Sequence, residues 1–209
     1  MENLETGDII LFSSNYWYSN LIEYFGQSKY SHVGMVLKNP TYIHPSLNDG
    51  LYFIESGYEN MKDVEDYKKK FGVQINKLDK IIDQNKKAGT KIFYRKLVLE
   101  DEKKRLTFSA ILEKAHKIIH NKPYNTIVQD WVRAEIALKE KSFDHFTNAI
   151  NKKTSTFWCS ALVAYLYVQL GLLDENTPWT IVPPKEFSET SSILKFVGCS
   201  LDKETSIDE

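Results

Sequence analysis

Apolar residues in the first half of the chain fall in short runs separated by turn formers, whereas the second half reads in helical periods. Residues 7–14, GDIILFSS, open on a Gly-Asp turn and continue as a short buried strand. SHVGMVLK and GLYFIES predict two further strands, divided by a stretch containing Pro40, Pro45 and Asn48-Asp49-Gly50. GVQINKL and KIFYRKL read as two more, with a lysine-rich helix or loop between them. NYWYSNLIEYFG predicts an amphipathic helix from an N-cap at Asn15 to Gly26.

After Arg95 the period changes. Leu106, Ala110, Ile111, Ala115 and Ile118 predict a helix within 101–120 with these residues as its apolar stripe. PYNTIVQDWVRAEIALK is expected to be helical in its second half, and the polar 139–153 stretch to be an exposed loop or short helix. The most apolar helix runs from about Phe157 to Leu170 and is closed by Gly171. Strands first and helices afterwards give an α+β fold. Neither a repeat nor a low-complexity linker interrupts the chain, so a single domain over 1–209 is expected.

Composition narrows the function classes. The net charge of −1, from 27 basic and 28 acidic residues, leaves no global field to recruit nucleic acid or an anionic membrane. Lys68-Lys69-Lys70 reads as a solvated face. No secretory signal opens the sequence, and the richest apolar run, 161–173, falls short of the roughly 18 residues a membrane span needs. Two cysteines, Cys159 and Cys199, make no disulfide framework. A cytoplasmic protein is the expectation, and a virion protein would share these features.

One of those cysteines stands at the start of the apolar helix. Ser155 or Thr156 as cap leaves Cys159 in the first turn, beside backbone N–H groups without intrahelical partners. The positive end of the helix dipole favours a thiolate there, and the same N–H groups suit a developing oxyanion. Cys159 also shares a face with Val163, Leu166 and Leu170, so a packed core thiol fits the segment equally well.

A thiol nucleophile needs a base, and five histidines are available. His44 and His145 lie in turn-rich or polar stretches and read as incidental. His116 and His120, four apart on one helix, have a metal-site spacing but no third ligand in sequence, so surface histidines are the expectation. His32 begins a strand. If 32–37 and 51–56 form an antiparallel hairpin, a register that sets His32 opposite Glu55 would place a carboxylate to orient the imidazole.

The motifs TGDIILF, YSHVGMVL, YFIES, NKPYN, FWCSALV and PPKEF, in this order and spacing, resemble permuted papain-like proteins of the NlpC/P60 superfamily. The similarity is to the YiiX/YaeF-type amidase-peptidases, which have relatives in bacteria and large DNA viruses. It covers roughly 1–60 and 115–195 and leaves 61–90 and 135–155 as family-specific insertions. The resemblance implies a circularly permuted papain-like core, with a small antiparallel sheet packed on a buried helix that carries the nucleophile. Its catalytic Cys and His match Cys159 and His32, and the polar residue of the next strand matches Glu55. The family's cleft tyrosine matches Tyr124, in a turn where Asn121 replaces the usual Gly; Ala161 replaces the acidic residue common after the nucleophile.

A cysteine-dependent amide hydrolase working through a thioester is therefore expected, with Cys159, His32 and Glu55 catalytic and Tyr124 and Tyr30 lining the cleft. For Tyr30, packing is the favoured reading. Thiol chemistry requires no metal or organic cofactor, and the partner implied is a peptide or other amide, lipid-linked or not. Two alternatives remain: a lecithin–retinol-type thiol acyltransferase or esterase, and a catalytically silent binding protein on the same fold.

Overall fold

Alternation of apolar side chains builds one antiparallel sheet with both faces covered. The computed structural model describes residues 3–13, 29–58 and 60–207; the helix expected over 15–26 lies outside them. The strands are β1 (Ile9–Ser13), β2 (His32–Lys38), β3 (Leu51–Tyr58), β4 (Phe71–Lys77) and β5 (Lys91–Arg95), joined by the short β8 (Thr205–Ser206). They are ordered β4-β3-β2-β1-β5-β8, every neighbouring pair antiparallel. A separate ribbon pairs β6 (Leu97–Leu99) with β7 (Cys199–Leu201). The four helices among the described residues are α1 (Leu78–Lys87), α2 (Phe108–Ile119), α3 (Val128–Glu140) and α4 (Cys159–Gln169).

The period of two sorts the sheet residues between two cores. Ile9, Leu11, Val33, Met35, Leu37, Tyr52 and Ile54 meet α2 and α4 on one face. Ile10, Phe12, Val36 and Phe53 meet Leu78, Ile81 and Ile82 of α1 on the other. The 61–90 segment thus supplies an outer strand and the helix of the second face. Helix α4 is buried from Cys159 through Tyr167, as its all-round apolar sequence requires. Among the described residues no helix is long and apolar enough to cross a membrane.

Several local expectations change. The 101–120 segment begins as a 3-10 turn, Glu102–Thr107, and only then becomes α2. That shifts the helical phase: Phe108, Leu112, Ala115, His116 and Ile119 are buried, while Leu106 is 84% exposed and Ala110 and Ile118 face water. The 139–153 stretch forms two 3-10 turns, Asp144–Phe146 and Ala149–Lys152, yet Phe143 and Asn151 are buried. Lys70 does not share the solvated face of Lys68 and Lys69: its Nζ lies 3.1 Å from the buried Asp63 and 3.3 Å from Asp66.

Two loops are pinned by buried polar groups. Asp8, from the Gly-Asp turn, accepts 2.8 Å hydrogen bonds from the N–H groups of Glu5 and Leu97, although burial pushes its carboxyl up. Arg95 donates to the carbonyls of Asp202, Phe187 and Leu201 at 2.7, 3.0 and 2.9 Å, which locks the C-terminal ribbon onto β5. Along the outer edge of β4, Val73 N–H donates to Lys122 O (2.9 Å) and Tyr124 N–H to Phe71 O (3.1 Å). This approach is close enough to require Gly72, whose φ is +152° and where a Cβ would lie 2.3 Å from Lys122 O. Asn121 stands at φ 58°, a left-handed conformation that Asn adopts more readily than most residues, so no Gly is required here.

Candidate active site

Three separate segments meet at the N-terminus of α4. The helix begins at Cys159 itself, with Trp158 as N-cap and no side-chain cap, so the expected capping by Ser155 or Thr156 does not occur. By α-helical geometry the first-turn N–H groups therefore lie beside the sulfur without intrahelical acceptors. The residues just before Cys159 are held from three sides. Ser56 Oγ of β3 donates to Phe157 O (2.6 Å), Phe157 N–H donates to Pro123 O (3.1 Å), and Asn125 N–H donates to Phe157 O (3.0 Å). The Trp158 ring stacks on Trp131 of α3 at 6.2 Å, with the planes 2° apart.

His32 opens β2, and its ring bonds Glu55 and feels the charge of Cys159. Its Nε2 is 2.5 Å from Glu55 Oε2, and the Cys159 sulfur is near enough to act on the ring's charge. With Nε2 committed to Glu55, Nδ1 is the nitrogen left for the thiol. Glu55 is fully buried, and among the described residues its Oε1 has no hydrogen-bond partner. The His32 side chain retains 15% exposure, enough for solvent to reach the site. Phe12 flanks the ring at 5.5 Å between centroids. Burial alone would lower the imidazole's proton affinity, but the Cys159 sulfur first and the Glu55 carboxylate second hold it well above the ordinary histidine value.

The expected register is corrected by two residues. Met35 pairs with Ile54 and Val36 with Phe53, so β2 continues with His32 opposite Gly57 and Glu55 opposite Gly34. Because side chains two apart share a face, His32 still reaches Glu55, diagonally across Gly57. A Cβ at Gly57 would lie 3.1 Å from Glu55 Oε2 and 3.2 Å from His32 Cε1, tighter than such contacts normally are. Gly57→Ala is therefore expected to spread the pair by a few tenths of an ångström and slow alkylation of Cys159 several-fold at pH 6, with a melting temperature close to wild type. Rates read by intact-mass spectrometry check this, and an unchanged rate would show that the close approach does not matter.

Tyr30 lies two residues before His32, and Tyr124 lies between Pro123 and Asn125, which both bond Phe157. Tyr124 bridges Phe157 through its backbone and stacks on Phe71, centroids 4.7 Å apart. Tyr30 is buried, its hydroxyl bonded to Glu204 Oε2 and its ring edge-on to Phe93 at 5.7 Å. Burial and Glu204 together push its phenol up. Ser56 and Gly57 are site-building residues that sequence reading passed over. Both sit in the YFIESGY run, and only the register reveals their part.

The other histidines divide. His44 bonds Ser46 Oγ (2.7 Å) and His145 lies 3.2 Å from Glu140, both at the surface. His116 is not the surface residue expected: it is buried, with Nε2 3.0 Å from Glu65 Oε2.

The arrangement at Cys159 couples a thiol, an imidazole and a carboxylate at a helix N-terminus, a set able to transfer a proton and stabilise negative charge. No family model and no curated protein matches the sequence. Among solved structures, the chain is similar to the crystal structure of the metalloprotein yiiX from Escherichia coli O157:H7, at 17% identity and a TM-score of 0.46, over 98% of this chain and 96% of that one.

Proposed function

We propose that the chain is a cysteine-dependent hydrolase of amide bonds, in peptides or isopeptide-like linkages. The reading rests on one observation: His32 bonds the Glu55 carboxylate at 2.5 Å and feels the Cys159 sulfur, three residues drawn together from distant segments. The thiol proton passes to His32 Nδ1 while Glu55 holds the opposite ring nitrogen and balances the imidazolium. The thiolate attacks the substrate carbonyl carbon, and the oxyanion formed faces the N–H of Cys159 at the start of α4. Collapse breaks the C–N bond, the leaving amine takes the proton from His32, and a thioester remains. Water then gives a proton to His32 and its oxygen to the acyl carbon. The acid departs, and Cys159 recovers its proton.

The cysteines supply the test. Cys159 is 5% exposed and Cys199 is half-buried, so accessibility alone favours reagent reaching Cys199. Burial also pushes the Cys199 thiol up, which makes it a poor nucleophile near neutrality. Limiting iodoacetamide at pH 6 is expected to modify Cys159 first, as read by peptide mass spectrometry. Equal, slow labelling of both cysteines would sink the proposal.

A further inference from the structure

The last turn of α2 carries a cluster that the Cys159 site does not use. His116 and His120 stand one helical turn apart, and Glu65, from the loop leading into β4, lies against both. Its Oε2 is 3.0 Å from His116 Nε2 and 3.5 Å from His120 Nδ1. All three ligand-capable atoms lie within 4.8 Å of one another. A tetrahedral Zn2+ with bonds of ~2.0 Å sets its ligand atoms ~3.3 Å apart, and the two Glu65 separations bracket that value.

The ring geometry suits shared ligation. The imidazoles are tilted by 57° with centroids 5.1 Å apart, so they are not stacked face to face. The side chains of Glu65 and His116 are mostly enclosed while that of His120 is 36% exposed, which leaves room for water as a further ligand. Asn121 stands behind His120, its side-chain amide nitrogen 2.8 Å from Nε2. With the amide turned so that Oδ1 accepts from Nε2–H, it fixes the tautomer that frees Nδ1 for a metal.

We propose that Glu65, His116 and His120 bind a divalent transition-metal ion, with Zn2+ the best match to two imidazoles and one carboxylate and water in the fourth position. The ion is a clamp and takes no part in the thiol chemistry. It ties the end of α2 to the loop before β4. The residues that follow, Lys122 to Tyr124, hydrogen-bond to Phe71 and Val73 on one side and Phe157 on the other. This inference stands independently of the hydrolase reading.

Zn2+ titration of the metal-stripped full chain, followed by calorimetry and thermal melting, tests it. One equivalent is expected to bind and raise Tm. His120→Gln, the most exposed ligand and so the substitution least damaging to folding, should weaken binding on the order of tenfold or more and remove the Zn2+-dependent rise. Glu65→Gln and His116→Gln should do the same. The double variant Cys159→Ser/Cys199→Ser should bind as wild type does, which separates this cluster from the thiols. Absence of binding, equal binding by His120→Gln and wild type, or loss of binding in the cysteine double variant would each overturn the assignment.

Discussion

His32→Ala is expected to slow alkylation of Cys159 at pH 6 by about ten- to a hundredfold. In the wild-type chain the imidazolium persists above the ordinary histidine range, because the sulfur and Glu55 hold it up, so at pH 6 the positive partner of a thiolate is present in full. Without it the sulfur loses its countercharge, and a free thiol in water is only ~0.3% ionised at pH 6. The loss is smaller than that fraction suggests, since a more basic thiolate is intrinsically more nucleophilic. The pH profile carries the distinctive signature. Wild type should lose reactivity less steeply than His32→Ala as the pH falls from 8 to 6, because the His32 cation persists over that range. Glu55→Gln keeps an acceptor but removes the charge, and its rate should fall between the two. Matching profiles for wild type and His32→Ala would remove the base from the proposal.

Glu186→Ala is expected to destabilise the fold by roughly 3–5 kcal/mol, read from urea midpoints. Glu186 is fully buried in the PPKEF segment, and its Oε2 accepts from the N–H groups of Ser192, Ile193 and Leu194 at 3.1, 2.8 and 3.3 Å and from Ser191 Oγ at 3.1 Å. One oxygen thus gathers the turn that leads into the C-terminal ribbon. Truncation strands those donors at about 1–3 kcal/mol each before relaxation and entering water recover part of the loss. Glu186→Gln retains an acceptor oxygen and should cost about half as much. A shift below ~0.5 kcal/mol for the alanine variant would mean that the turn repacks without it.

What the sequence disclosed follows from where its signals are local. The strands around Ile9–Phe12 and Val33–Leu37 were legible because alternate residues feed two different cores. The buried helix behind Cys159 was legible because no polar face interrupts it. The α2 stripe was misassigned because Leu106 belongs to a 3-10 turn, and a change of helical pitch at Phe108 rotates every later residue. The β2–β3 register could not be read because the 39–50 connection is too long to fix pairing, and only the packed sheet aligns His32 with Gly57. His116 was misjudged for a related reason: its partner, Glu65, lies 51 residues away and leaves no mark on the helix.

The close approach over Gly72 has a consequence for how the chain behaves among its own copies. A sheet edge with free backbone donors and acceptors invites another strand, and β4 would be such an edge. Lys122 to Tyr124 run along it and occupy bonding groups of Phe71 and Val73, while the opposite edge ends in the two-residue β8. Both margins are thereby blunted against intermolecular pairing. A substitution that lifts the 122–124 segment away from Gly72 would do more than loosen the route to Cys159, because it would uncover the Phe71–Val73 end of β4, leaving only Ile75 covered by Asp63 and Val64, and favour aggregation.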